Sequence, residues 1–379
     1  MKGAAFYLLL PFIVLFLQIP ISAYSEKLDE AAVIVTNVKE LEAAVRQAKP
    51  NAVILIRDGV YPLDGRMLVL ATQGVTVRSA SGDRSAVVLD GVGKSPSVFE
   101  ISASDVTISD LTIRSPYNHA IHVYTPRSGG DIRNIHLKNI HIVDPGQQGI
   151  KINPTVYGAS LINGVIEQSL IELTKPGRKL IRNNCYTGGI DAHHSAGWVV
   201  RNNEIRGFWC STGLSEHAIH FWRGSRNTLV ERNVLMDNAR GIGFGMEPYS
   251  GKTENEGCPS ESDHTGGLIR DNLITTADST LFDSQFGADC GICLWYACGA
   301  KAKGNRIFSA RPLRTFSSIE WRFSATRAEI IKNTTNVRML ARDGASAITL
   351  DNRTDAAPPP FKDQKRGHSQ AVTPTNDVY

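Results

Sequence analysis

The chain has 379 residues, 42% hydrophobic and 21% charged, with a formal net charge of +4. That balance excludes collagen-like and wholly disordered classes, and the lack of a lysine-arginine run or aromatic-basic interleave gives no sign of a nucleic-acid partner. Glycine is plentiful at 33 residues while only 7% of the chain is aromatic, which favours many short strands joined by tight turns.

The N-terminus combines Lys2, an apolar run from Ala4 to Ile19 and the small-residue site Ile21-Ser22-Ala23. This pattern predicts a signal peptide over residues 1–23. Pro11 and Pro20 interrupt a run barely long enough to span a bilayer, so no stable membrane insertion is expected once it is removed. The mature protein is expected to be secreted or periplasmic. There the six cysteines, Cys185, Cys210, Cys258, Cys290, Cys293 and Cys298, are free to pair, with connectivity left open. Cys290, Cys293 and Cys298 lack a second metal-spaced pair, so no zinc site is expected.

Asn37 to Lys49 reads as an amphipathic helix, with Asn37 as N-cap and Glu40 in the position of a capping-box acid. Between residues 118 and 323 one phrase then recurs seven times: a small residue, Ile, any residue, and a bulky residue. Its centres are Ile121, Ile150, Ile190, Ile219, Ile242, Ile292 and Ile319. Side chains alternate along a strand, so each Ile and the residue two after it face one way, toward a core. The residues one and three after it face the other way, toward a surface.

A second phrase, an apolar pair followed by Asn or a substitute and another apolar pair, runs in step at Asp110, Asn139, Asn203, Asn233 and Asn272, with weaker copies at Asn184, Asn305, Asn333 and Asn352. The intervals vary, 29 residues from Asp110 to Asn139, 19 from Asn184 to Asn203 and 39 from Asn233 to Asn272. A short minimum period with variable loops predicts a solenoid of stacked parallel strands over residues 24–353. Asn at one corner is expected to adopt the left-handed conformation and to hydrogen-bond along the stack. The Asn37 helix would cover the open end of the first coil. Residues 354–379, rich in Pro, Lys, Gln and Thr, are expected to form a disordered tail.

This arrangement of capping helix, strand coils and Asn ladder resembles the right-handed parallel β-helix proteins of the pectate lyase-like superfamily, over roughly residues 30 to 353. The resemblance implies an all-β fold, a right-handed parallel β-helix with an N-terminal capping helix. The superfamily holds lyases, hydrolases, epimerases and binding proteins, so it does not choose among them.

Placed in register, the seven strands give two polar columns: His122, Lys151, Asp191, His220, Gly243, Cys293 and Glu320, then Tyr124, Asn153, His193, Trp222, Gly245, Trp295 and Arg322. A merely solvated sheet face would carry Thr, Ser, Lys and Glu. This one concentrates His, Asp, Lys, Tyr and Trp, beside two glycines expected to leave a hollow. Gly188-Gly189-Ile190-Asp191-Ala192-His193 is similar to the Asp-Pro-His strand of the alginate (mannuronan) C5-epimerases, with Ala192 in place of Pro and Gly188 where an aromatic often stands. His217-Ala218-Ile219-His220-Phe221-Trp222-Arg223 is similar to the strand that follows it in those enzymes.

The implied partner is an acidic, uronate-containing polysaccharide, to which a small positive charge is suited. The implied chemistry is removal of the proton on C5, which requires neutralisation of the adjacent carboxylate and a base within about 3 Å. Lys151 and Arg223 would neutralise, and His193 would be the base. Asp191 would either orient a cation or, if burial raised its pKa, donate a hydrogen bond to the substrate. His220 or Tyr124 would protonate the leaving O4 in a lyase. His122, Tyr124, Asn153, His217, Trp222, Trp295, Glu320 and Arg322 are the expected substrate-binding residues.

Lyase and C5-epimerase stay open, as does a β-helix that only binds glycan or serves a surface role. Glycosidase chemistry is disfavoured, because the column's only carboxylates, Asp191 and Glu320, are four strands apart at about 4.8 Å each. Glu247, Glu254, Glu256, Glu261 and Asp263 crowd the loop between Gly245 and Gly266, where Ca²⁺ could bind, but a solvated acidic loop is the plainer expectation. No metal or other cofactor is therefore expected.

Overall fold

The computed structural model describes residues 32–357 apart from 157, 183 and 252–256. The expected signal peptide and most of the expected tail lie outside the described residues. Successive coils stack by parallel pairing into a right-handed parallel β-helix. Ten strands form one sheet in strict coil order: Leu68–Leu70, Ser97–Ile101, His119–Val123, Gln148–Ile152, Gly188–His193, His217–Trp222, Arg240–Phe244, Ala288–Trp295, Thr315–Arg322 and Leu340–Arg342. The remaining paired strands form a second parallel sheet around the rest of the coil.

The Ile phrase sets the register of the first sheet. Ile121 pairs with Ile150, Ile150 with Ile190, Ile190 with Ile219, Ile219 with Ile242, Ile242 with Ile292, and Ile292 with Ile319. All seven are buried in one continuous core. Burying such a side chain stabilises by about 1.5–3 kcal/mol, and a one-residue slip would turn the whole row outward.

The second phrase separates into two adjacent jobs. The left-handed positions are Asp110, Asn139, Gln168, Asn202, Arg232, Asp271, Lys332 and Asp351, each at φ between 50° and 57°, with Gly304 at φ 68°. The hydrogen-bonding ladder belongs to the next residue. Asn203 donates its backbone N–H and its amide to Asn233 Oδ1, both at 3.0 Å, and the same links run through Asn272, Asn305 and Asn333 to Asn352. In the coils from Asn203 on, the two expected functions therefore fall to adjacent residues, whereas Asn139 serves both, taking the left-handed turn and donating its amide to Asp110 Oδ1 at 2.7 Å. Asn184 is outside both rows; its coil turns at Gln168 and Ser169, whose N–H donates to Asn203 Oδ1.

The N-terminal helix spans Val38–Gln47, with Asn37 Oδ1 accepting from Glu40 N at 3.0 Å. The Glu40 carboxylate accepts from the Thr36 N–H and hydroxyl rather than from the cap residue. Leu41 and Val45 enter the same core as the first strands. Among the described residues no helix is long and apolar enough to cross a membrane. At the other end, the last strand, Ser346–Leu350, pairs with Arg327–Ile331, and a bridge joins Thr334 to Arg353.

Candidate functional site

The first polar column is in register, with Lys151 paired to His122 and Asp191, His220 to Asp191 and Gly243, and Cys293 to Gly243 and Glu320. It does not form a solvated surface. Lys151, Asp191, His220, Cys293 and Glu320 are all buried. At three of the coils the strand brings residues three apart close together, around the small residue before Ile.

A straight strand separates residues i and i+3 by roughly 10 Å, yet the rings of His217 and His220 are 4.2 Å apart and the Cα atoms of Cys290 and Cys293 5.8 Å. At those coils the bend folds a third row, His119, Gln148, Gly188, His217, Arg240, Cys290 and Ser317, against the first. Sequence reasoning missed this row, although its signal was present. The small residue is required because coils nearly touch there: a Cβ on Gly189 would be 2.3 Å from Ala218 O, and one on Gly241 2.1 Å from Gly291 O.

At the centre of the site, Lys151 donates to Asp191 Oδ2, and its Nζ is 3.1 Å from His193 Nε2. Asp191 Oδ1 accepts the Trp222 indole N–H at 2.7 Å and lies 3.5 Å from His193 Nε2. Burial pushes the Asp191 pKa up, but the His193 hydrogen bond and the charge of Lys151 outweigh it, leaving the carboxyl well below its usual range. The lowered pKa favours the first of the two expected roles for Asp191, an ionised group that orients Lys151, over a protonated carboxyl.

His193 is lowered, first by burial, with Lys151 and Arg223 adding to the effect and Asp191 opposing it, so its imidazole is neutral at neutral pH. The exposed Arg223 carries its guanidinium 4.8 Å from the Trp222 ring and pairs with Glu247 at 2.7 Å. The Trp222 ring in turn meets the His193 ring edge-on at 4.6 Å. Lys151, Asp191, His193, Trp222 and Arg223 therefore form one cluster. His122, Tyr124 and Asn153 border it on the preceding coils. His122 Nε2 is 2.9 Å from Asn153 Oδ1, and the His122 and Tyr124 rings are 5.0 Å apart.

Several expected site residues are placed elsewhere. His220 is fully buried, with Nε2 on Gly245 O at 3.3 Å, and burial lowers its pKa to about 4, so it cannot reach and protonate a leaving oxygen. His217 is fully buried too, which removes it from substrate contact. Trp295 is buried with its N–H on Glu320 at 2.9 Å, and the buried Glu320 pairs with Arg342 at 3.0 Å. Arg322 is held by Asp343 at 2.7 Å. These last three form a structural cluster on later coils, not part of a sugar groove with Lys151.

The expected hollow is filled as well. A Cβ on Gly243 would be 2.7 Å from the His217 ring, and one on Gly245 would be 2.0 Å from Trp295 O. Trp222 is half-buried and stacks on His220 at 5.2 Å. Gly188 has no room for the aromatic of the epimerase motif, since its Cβ would be 2.7 Å from His217 O.

The cysteines pair as Cys185–Cys210, Cys258–Cys298 and Cys290–Cys293. In the acidic loop, Glu247 is taken by Arg223, and Asp263 accepts from the N–H groups of Met246 and Gly224 at 2.8 and 3.3 Å. Glu254 and Glu256 lie outside the described residues.

No protein-family model and no curated protein matches the chain. Solved structures do resemble its fold. An alginate lyase from Paenibacillus sp. aligns with a TM-score of 0.56 at 15% identity, covering 83% of this chain and 99% of that one. The A-module of a mannuronan C-5 epimerase from Azotobacter vinelandii aligns at 0.53 and 16% identity, covering 85% and 92%. A lacto-N-biosidase from Eubacterium ramulus aligns at 0.54 and 12% identity, covering 87% and 68%. This chain has their parallel β-helix fold. At such identities the likeness carries fold alone, and the chemistry rests on the side chains of the site.

Proposed function

We propose that the protein acts on a uronate-containing polysaccharide by abstracting the C5 proton, as a lyase or C5-epimerase. The observation that carries this reading is the meeting of Lys151 and a neutral His193 at 3.1 Å beside the ionised Asp191, with the Arg223 guanidinium next to them. Arg223 and Lys151 neutralise the substrate carboxylate, which lowers the cost of the carbanion. His193 is the base that takes the C5 proton. Asp191 holds Lys151 in place.

Returning a proton to the opposite face of C5 inverts the sugar. Expelling O4 with the C5 electron pair instead breaks the chain and leaves a 4,5-double bond, and Tyr124 is then the acid among the residues expected for that step. The likeness to an alginate lyase and a mannuronan epimerase supports a carbohydrate-active reading. One observation favours the rival, a β-helix that binds glycan without reacting: Lys151 is already paired to Asp191 and its side chain is only 10% exposed.

Incubation with alginate, polygalacturonate and glycosaminoglycans in deuterated water tests the proposal. Absorbance of unsaturated uronate reports elimination, and proton NMR reports inversion or deuterium at C5. Loss of the C5 proton signal is expected with at least one polymer. If none reacts or exchanges, the binding reading replaces the catalytic one.

A further inference from the structure

Behind the Lys151–Asp191 pair lies a group of buried imidazole and carboxylate atoms without hydrogen-bond partners. His220 Nε2 faces only the carbonyl of Gly245, at 3.3 Å, so it carries the ring proton. The other nitrogen, Nδ1, then presents a lone pair. It lies 3.7 Å from Glu216 Oε2 and 3.8 Å from Asp191 Oδ1, both carboxylate oxygens. His220 Nδ1 and Glu216 Oε2 are buried without a hydrogen-bond partner. So are both ring nitrogens of His217, which is 0% exposed and whose ring is 4.2 Å from that of His220.

Buried polar atoms without partners are costly, at about 1–3 kcal/mol each, and a bound ion that gathers them is one way to satisfy them.

We propose that Glu216, His217 and His220 bind one Zn²⁺ ion. One ligand atom from each comes within 4.8 Å of the others. Neighbouring ligands of a tetrahedral zinc, at 2.0–2.2 Å from the ion, are roughly 3.3–3.6 Å apart, so closure requires only small movements. Two imidazole nitrogens and a carboxylate suit zinc and not Ca²⁺, which takes oxygen ligands. Gly243 makes room for the His217 ring.

Cys290 and Cys293 also lie within ligand reach of His217, but as a disulfide they offer no thiolate, so the donor set is nitrogen and oxygen. The site stands whether or not polyuronate is the substrate.

Titration of tag-free, metal-depleted full-length protein with ZnCl₂, by calorimetry and by competition with a chromophoric chelator, tests this. One Zn²⁺ per chain is expected, with no comparable binding of CaCl₂. Glu216→Gln and His217→Asn should each weaken it by more than about 100-fold, while the double variant Cys290→Ser, Cys293→Ser should retain it. Circular dichroism on each variant confirms that it is folded, and Glu216→Gln, nearly isosteric and at the edge of the core, is the decisive one. Absence of stoichiometric zinc binding by the folded wild type overturns the proposal. So does binding that survives Glu216→Gln and His217→Asn but is lost with the two cysteines.

Discussion

His193 has a neutral imidazole because burial, Lys151 and Arg223 together outweigh the pull of Asp191. A base must be unprotonated to act, so activity is full above its pKa and falls as pH drops through it. With that pKa lowered, the acid limb of kcat/KM on a polyuronate is expected below pH ~6.5, the ordinary imidazole value. Asp191→Asn removes the group that raises the His193 pKa and should move the limb further toward acid. His193→Gln should reduce kcat by about 10²–10⁴. An acid limb above the ordinary value, or an unimpaired His193→Gln, would sink the assignment of the base. Lys151, Asp191 and His193 were legible in the sequence because strand alternation and register alone bring them together. His217 was singled out as a substrate contact, but its burial against His220 was not legible, because its position depends on a bend that a period of two does not encode.

At the scale of a single turn of the coil, the Asn ladder shows how one polar residue closes several hydrogen bonds at once. Asn233 Oδ1 accepts from the Asn203 N–H and amide at 3.0 Å, while its own amide donates to Val200 O at 2.9 Å. Asn233→Ala strands these partners inside the core, with an expected loss of about 3 kcal/mol or more. Asn352, at the end of the ladder, accepts the same pair of bonds from Asn333 and donates to Ile330 O at 2.7 Å, but it is half-buried and has no further Asn to donate to, so Asn352→Ala should cost less. Melting temperatures of the two variants check the ordering, and equal losses would show that the ladder does not bear on stability as argued. The recurrence of Asn was visible in the sequence. Its division of labour with the preceding left-handed residue was not, because a run such as Asn202-Asn203 looks the same whichever residue takes the turn.

The whole molecule concentrates histidines in its interior, and this gives its stability a direction with pH. Burial lowers His119 and His220 to about 4 and His264 to about 3, and lowers His193, His194 and His217 as well. Below pH ~6.5 the unfolded chain binds protons at these positions while the folded protein does not. Each one therefore lowers stability as the pH falls from there toward its folded pKa.

Glu216 and Asp237 are raised by burial and Asp263 is pushed up to about 6. They act in the opposite sense, since stability from a raised carboxyl is present at low pH and lost as pH rises through the folded value. Leaving aside the proposed zinc ligands Glu216, His217 and His220, four lowered histidines stand against two raised carboxyls among the described residues, and the melting temperature is expected to fall between pH 6.5 and 4.5. A flat or rising profile would contradict the interior placement of the histidines.

The sequence by itself determined the fold, because the spacing of Ile121 to Ile319 and the Asn row are local patterns that only a stack of parallel coils satisfies. It also determined that Lys151, Asp191 and His193 share a face. Only the tertiary structure decided that this face is mostly closed, that His217 and Trp295 are interior, and that Glu216, His217 and His220 converge. Those facts depend on the bend before Ile and on distances between coils, which no single strand carries in its own sequence.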